Sequence, residues 1–237
     1  AALGVYLFDF GGRRRVLWAG IAFGLAALAR ESTLIFPLVY GLALLLRAAP
    51  SQDAVGQPLV SVRAACAWLG VRLAANWRPA ALFCALTAGP MLLYKAFLFV
   101  WLGSGIPASV LPVPIPFQGL FAHWPFDGEQ ALILEGIVAP GLLALAVAVW
   151  ALRRNARSVA LWLLLGNVVV FVVLLNQSSY SMMAAGRVTA GVPLAALLCL
   201  PVIDALTRRN RTWLVACGLL WMTLLPWWLM FPYVLRG

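Results

Sequence analysis

Charged residues are scarce in this chain, and acidic residues are the scarcest. Of 237 residues only 10% are charged, with 7 Asp and Glu against 17 Lys and Arg, whereas 64% are hydrophobic. A soluble domain of this length cannot bury so much apolar surface. The composition therefore predicts an all-α fold, a polytopic transmembrane helical bundle. The net charge of +10 does not indicate nucleic-acid binding, because the cations lie in short clusters between apolar segments.

Metal-binding and disulfide-forming residues are also few. There is one histidine, and the four cysteines show no C-x-x-C or Cys/His spacing (Cys66, Cys84, Cys199 and Cys217). This pattern predicts small core residues and argues against a disulfide scaffold or a zinc site. We expect no cofactor and no resident metal. A divalent cation held by Asp127 and Glu129 is the alternative to a simple helix start at these residues.

The longest apolar run, residues 16–47, is interrupted only by the polar tetrad Arg30-Glu31-Ser32-Thr33. One helix of this length would measure about 48 Å, against roughly 30 Å for the hydrocarbon core of a bilayer. The run therefore predicts a short broken-helix hairpin that reverses at Arg30, with Ser32 as the N-cap of its second half. The alternative is a kinked helix with an internal Arg30–Glu31 pair.

The rest of the chain alternates apolar and basic segments. Residues 59–78 predict a helix lying on the membrane surface, or an ordinary loop helix, and residues 103–129 a proline-rich outer loop without helix. Predicted spans follow the hairpin at 79–102, 130–152, 158–176, 185–206 and 212–232. We expect residues 1–237 to form one transmembrane domain, the C-terminal part of a longer chain whose first helices and first outer loop precede residue 1.

The basic residues orient this arrangement. All but four of the 17 Lys and Arg fall on one side of the predicted spans, which the positive-inside rule assigns to the cytoplasm. The exceptions are Arg30, Lys95, Arg187 and Arg236. Arg236, at the chain end, is interpreted as an interfacial anchor.

The other three exceptions predict an anion site. Arg30 is at the hairpin tip, Lys95 lies about two turns inside the outer end of its span, and Arg187 opens a later span. Arginine binds phosphate bidentately, and lysine supplies a point charge. The helix start at Ser32-Thr33 is expected to add backbone donors. Snorkelling or internal ion pairing is the alternative for each cation taken alone.

Four further polar residues are candidates for sugar or acceptor contacts: His123, Asn176, Gln177 and Tyr180. Loop packing for His123 and a solvated turn for residues 176–180 are the simpler interpretations. Glu31 is expected to orient Arg30, with cation binding or a role as general base as alternatives.

Two segments resemble bacterial polytopic glycosyltransferases of the GT-C superfamily, the clan of protein O-mannosyltransferases and lipid A aminoarabinose transferases. The first, GLAALARESTLIFPLVYGLALLLR, is similar to a "G-L-x-x-L-x-R/K-x-x-x-L-x-x-P" pattern through Gly24, Leu25, Leu28, Arg30, Leu34 and Pro37. The second, AGRVTAGVPLAALLCL, is similar to a late "G-R-x-x-x-P-L-x-P-L-L" helix through Gly186, Arg187, Pro193 and Leu194. Together they cover about 40 residues.

The resemblance implies a multi-pass enzyme of the bacterial inner membrane that takes a sugar from a polyprenyl-phosphate donor at the extracytoplasmic face. Arg30 and Arg187 would hold the donor phosphate, with Lys95 assisting, and no nucleic acid would take part. The family's catalytic acid lies in the first outer loop, which would precede residue 1. Glu31 does not match that position and is only a weak catalytic candidate, so this chain alone is expected to be inactive.

Other classes of protein share some of these features. A lipid-linked saccharide polymerase or ligase also places outer arginines on a pyrophosphate donor, although it usually has a larger outer loop. A transporter has broken helices around a central site, but the Gly24–Pro37 pattern occurs only once. A structural membrane subunit is a further alternative.

Overall fold

The computed structural model describes residues 1–10, 12–46, 62–103, 115–122, 128–175 and 182–207. In these ranges the protein is all-α, and no strand is present. Three of the described helical segments are long and apolar enough to cross a membrane: Leu69–Leu102, Leu134–Leu152 and Ala184–Leu206. The chain forms two compact units, Ala1–Gly105 and Ile106–Gly237.

The described residues of the first unit form four helices. They are α1 (Ala2–Phe10), α2 (Arg15–Ala29), α3 (Ile35–Leu45) and α4 (Val62–Leu102), with 3₁₀ turns at Gly12–Arg14 and Glu31–Leu34. The predicted hairpin is confirmed. The rings of Phe23 and Tyr40 lie 5.8 Å apart between centroids, although a straight helix would separate these residues by about 25 Å. The chain therefore reverses between α2 and α3.

Aromatic rings from all four helices form the core of this unit. Phe83 lies 5.7 Å from Phe8 and 6.0 Å from Phe23, and Phe8 lies 4.7 Å from Tyr40. Phe23 and Phe83 are fully buried. The Tyr40 hydroxyl also donates to Asp9 Oδ2 at 3.2 Å, which joins α3 to α1. The hairpin is thus held by ring packing against α1 and α4.

Glycines bring α2 very close to α4. A Cβ on Gly24 would lie 2.3 Å from the Leu86 carbonyl oxygen, and one on Gly20 would lie 3.0 Å from Leu86 Cβ. Leu86 is therefore level with the middle of the Gly20–Gly24 turn. A Cβ on Gly24 would also lie 3.6 Å from Pro90 Cγ. Contacts advance along both helices in the same direction, so α2 and α4 run parallel.

Helix α3 runs the other way along α4. Gly41 faces Phe83, and the Asn76 side chain, further back on α4, donates to the Leu45 carbonyl at 3.2 Å. Arg72 Nη1 donates to the Leu46 carbonyl. Carbonyls at the end of a helix have no intrahelical partner. Side chains of α4 therefore satisfy the end of α3 and fix its position.

The predicted boundary between a surface helix over 59–78 and a span over 79–102 is wrong, although the candidate span Leu69–Leu102 contains the predicted span. Val62–Leu102 is one helix of 41 residues, with Pro79 and Pro90 inside it, and measures about 61 Å. Each proline removes one backbone hydrogen bond. Ending a helix among apolar residues would expose several unpaired backbone groups, which costs more. The predicted end is confirmed, because Gly103 stops the helix with φ +63°.

The second unit contains two of the candidate membrane spans, Leu134–Leu152 and Ala184–Leu206, and the shorter apolar helix Val159–Val173. Its helices are α5 (Gln118–Phe121), α6 (Gly128–Ile133), α7 (Ala139–Leu152), α8 (Val159–Val168), α9 (Met182–Thr189) and α10 (Gly191–Thr207). A π-helical segment joins α6 to α7 at Leu134–Val138, and another extends α8 at Val169–Val173. The span predicted at 212–232 lies outside the described residues. The loop predicted to lack helix contains α5, a single helical turn.

Small residues and one thiol pack the helices of this unit. A Cβ on Gly141 of α7 would lie 3.0 Å from Val172 Cγ2. The Cys199 thiol of α10 donates to the Ala160 carbonyl of α8 at 3.0 Å. Cys199 is buried and free, which confirms its assignment as a core residue, whereas Cys84 is free but exposed, so its assignment as a core residue is wrong. The predicted helix start at Asp127-Gly128-Glu129 is confirmed by α6, which begins at Gly128.

Candidate functional site

The break between α2 and α3 is a defined turn of the backbone. Arg30 has φ −161° and ψ 117°, an extended conformation, and its N–H completes α2 by donating to Ala26 at 2.9 Å. Its carbonyl accepts from the N–H of Thr33 at 3.1 Å and from the Thr33 hydroxyl at 2.8 Å. The turn therefore satisfies itself with local hydrogen bonds.

These bonds correct two expectations for the break. Ser32 is not the N-cap of the second half-helix: the 3₁₀ turn begins at Glu31, and Arg30 precedes it without a side-chain cap. The extended Arg30 ends α2 and allows the turn to start two residues early. The N–H and the hydroxyl of Thr33 are both bonded to the Arg30 carbonyl. Thr33 is therefore not a donor for a ligand in this conformation.

Arg30 lies near the level at which α4 ends. It is half-buried and follows Gly24 by six residues, as the first residue of the polar tetrad in the hairpin. Since Gly20 and Gly24 bracket Leu86, Arg30 is roughly level with residue 94 of α4. Residue 94 is about 12 Å along α4 from the end of this helix at Leu102. The structure thus places this cation within the length of α4 that is a candidate membrane span, Leu69–Leu102.

Lys95 reaches the same level on another side of α4. It is half-buried and follows Leu86, which faces α2, by nine residues. With 3.6 residues per turn, nine residues amount to two and a half turns. Lys95 therefore leaves α4 on the side opposite the α2 contact. The two cations share a level, and their action on one anion stays a prediction.

Arg187 belongs to the second unit and is exposed. It lies in the last turn of α9, near the start of the segment Ala184–Leu206 that is long and apolar enough to cross a membrane. The helix is interrupted for one residue, at Ala190, before α10 begins. Its carbonyl accepts from the Ala190 N–H at 3.4 Å. A cation in the last turn also interacts favourably with the negative end of the helix dipole. Arg187 thus has a local structural role beside the predicted ligand role.

The remaining candidates fall outside what the structure describes. His123, Asn176, Gln177, Tyr180 and Asp127 lie outside the described residues, and the side chains of Glu31 and Glu129 are likewise not described. Within the described residues, no three His, Cys, Asp or Glu side chains cluster so as to hold a metal ion. The predicted sugar contacts and the predicted alternative of a cation site therefore stay predictions.

The structure shows two features that sequence reasoning missed, a buried amide and an unusual backbone conformation. Asn167, fully buried in α8, donates to the Leu163 carbonyl at 2.8 Å, and its Oδ1 has no protein hydrogen-bond partner. Phe117 has φ +58°, which is rare for a bulky residue, and its N–H donates to Val173 at 2.7 Å. Asn167 was visible as a lone amide in an apolar span. Nothing in the local sequence indicates the conformation of Phe117.

Comparison with known proteins gives no relative for this chain: no family model, no curated protein and no solved structure matches it.

Proposed function

We propose that this chain is the C-terminal membrane part of a GT-C-like glycosyltransferase of the bacterial inner membrane. Such an enzyme transfers a sugar from a polyprenyl-phosphate donor to an extracytoplasmic acceptor. One observation carries the proposal. Arg30, the cation of the GT-C-like segment, occupies an extended turn between two half-helices of an apolar hairpin. A guanidinium at this depth is suited to a phosphate on a lipid carrier.

The proposed roles follow from the positions of the cations. Arg30 binds the donor phosphate and stabilises the charge that develops when the phosphate leaves the sugar. The acceptor hydroxyl attacks the anomeric carbon, the bond from that carbon to the phosphate oxygen breaks, and a carboxylate takes the hydroxyl proton.

Binding of a polyprenyl phosphate to the full-length protein in detergent tests the role of Arg30. Arg30→Ala should weaken binding about 10- to 100-fold, the usual effect of losing a hydrogen bond to a charged group. Arg30→Lys should retain part of the affinity, because it keeps the charge and loses the bidentate geometry. Binding is measured by titration of the intrinsic tryptophan fluorescence.

Arg153→Ala is the matched control, since Arg153 is exposed in the turn after α7 and plays no part in the proposed site. It should bind polyprenyl phosphate like the unchanged protein. Equal affinities for Arg30→Ala and Arg153→Ala would contradict the proposal. Movement of the lipid donor across vesicles without any acceptor would favour a transporter instead.

A further inference from the structure

The helical register defines a groove along the contact between α2 and α4, on the side away from α3. Helix residues advance by about 100° each. On α2, Phe23 lies on the side of the α4 contact that faces Tyr40 of α3. Ile21 lies on the other side of that contact. On α4, Phe83 turns from the α2 contact towards Gly41 of α3. Leu82 lies on the other side of the α2 contact. Ile21 and Leu82 therefore flank the side that α3 does not cover.

Two arginines stand at one end of this groove. Arg14, the N-cap of α2, is eight residues before the level of Leu86, and Arg78 is eight residues before Leu86 on α4. Along the helix axes, both arginines therefore lie about 12 Å from the glycine contact, towards the N-terminal ends of α2 and α4, and at the same level. By the helical step, Arg14 lies on the side of Ile21 and Arg78 on the side of Leu82. Both side chains are exposed.

The glycines set the width of the groove. Because a Cβ on Gly24 would collide with the Leu86 carbonyl, the two helix backbones approach more closely than ordinary side chains would allow. Arginine side chains are long and flexible. The guanidinium carbon of Arg78 lies 5.6 Å from the centroid of the Trp77 ring. When Arg78 turns from this ring, two arginines at one level on two closely packed helices can reach a single anion between them.

The apolar residues directly above the arginines indicate which anion fits. Ile21 is 36% exposed and Leu82 is 49% exposed, and Trp18 of α2 is also exposed at 49%. Leu82 is one turn above Arg78, about 6 Å along α4. A free phosphate ion would leave this apolar surface unused. A phospholipid covers both parts, with its phosphate at the arginines and an acyl chain along the groove.

We propose that the groove between α2 and α4 binds one anionic phospholipid, with Arg14 and Arg78 holding the headgroup phosphate and Ile21 and Leu82 contacting an acyl chain. Basic pockets between helices at the membrane surface bind such headgroups. The site is distinct from the proposed donor site, because Arg14 and Arg30 are at opposite ends of α2. The proposal does not depend on the glycosyltransferase activity.

Native mass spectrometry of the full chain in detergent, titrated with dioleoylphosphatidylglycerol or dioleoylphosphatidylcholine, tests this site. The unchanged protein should bind one phosphatidylglycerol more tightly than any phosphatidylcholine. The double variant Arg14→Gln/Arg78→Gln should bind it about 20- to 30-fold more weakly, as expected for the loss of two charges near the surface. Arg14→Lys/Arg78→Lys should keep most of the affinity, because the charges remain.

The matched control is Arg153→Gln/Arg157→Gln, which removes two exposed arginines from the turn between α7 and α8. It should leave the tight site unchanged. An equal loss in both glutamine pairs would show a diffuse charge effect and overturn the proposal. Displacement of the lipid by inorganic phosphate at the same concentration would show a site for the free ion and also overturn it.

Folding of each variant is checked by size-exclusion chromatography. If the glutamine pair does not fold, the single variants Arg14→Gln and Arg78→Gln decide, each with about a fivefold loss of affinity expected. Unchanged affinity in both single variants would overturn the proposal.

Discussion

The protein interrupts an apolar helical path twice beside an arginine, and the two interruptions differ. At Arg30 the chain leaves α2 in an extended conformation and turns back, so that Phe23 and Tyr40 meet. At Ala190 the chain pauses for one residue, and Arg187 remains inside the last turn of α9. The arginines therefore have different structural roles at the two breaks. Arg30 occupies the turn itself, whereas Arg187 completes the end of a helix.

The first interruption depends on tertiary packing, and its largest test is Phe83→Ala. Phe83 is fully buried against Phe8 and Phe23. Its removal should destabilise the first unit by about 3–5 kcal/mol, as large-to-small core changes do. Thermal unfolding in detergent measures the effect. Phe99→Ala is the matched control, because Phe99 is 58% exposed, and it should change stability far less. Equal effects would show that the aromatic cluster does not hold the hairpin.

The close approach of α2 and α4 gives the next largest effect. Gly24→Ala places a methyl group 2.3 Å from a backbone oxygen, where no flexible side chain can move aside. We expect a loss of about 1–3 kcal/mol from the forced backbone shift, measured by the same unfolding experiment.

Gly70→Ala is the control for Gly24→Ala. Gly70 is also inside a helix, and a Cβ there would meet nothing within 4 Å. Alanine at this position should be neutral or stabilising by about 0.5–1 kcal/mol. A Gly24→Ala protein as stable as the Gly70→Ala protein would contradict the proximity of the two helices.

The smallest effect separates the two interruptions directly. Thr33→Val removes the hydroxyl that donates to Arg30, and Thr189→Val removes the hydroxyl that donates to Ala185 at 2.7 Å. Each should cost about 0.5–1.5 kcal/mol. Only Thr33→Val should also weaken polyprenyl-phosphate binding, since it loosens the turn that positions Arg30. Weaker binding in Thr189→Val alone would reverse the proposed importance of the two interruptions.

The sequence predicted what depends on length and local polarity. The run 16–47 is too long for one span and contains one polar tetrad. The length of the run therefore predicted the reversal at Arg30. The exit at Gly103 followed from a Gly-Ser-Gly segment, and the start of α6 from Asp127-Gly128-Glu129. These signals are local, and the structure confirms them.

The parts that sequence reasoning missed depend on tertiary contacts. Arg72 and Asn76 donate hydrogen bonds to the carbonyls at the end of α3. These bonds stabilise the part of α4 that precedes Pro79. The π segments beside α7 and α8 depend on how neighbouring helices pack, as at Gly141 and Val172. The opposite sides taken by Arg30 and Lys95 depend on the register of α2 against α4. No local motif encodes such a register.

The distance between Trp18 and Leu42 tests the reversal at Arg30 most directly. Both residues are exposed, and both can carry a spin label as cysteine variants in a background without the native cysteines. Pulsed electron paramagnetic resonance in lipid nanodiscs should give a distance under about 20 Å, because α2 and α3 run side by side in opposite directions. A straight helix would place the two positions about 36 Å apart, and a distance near that value would contradict the hairpin.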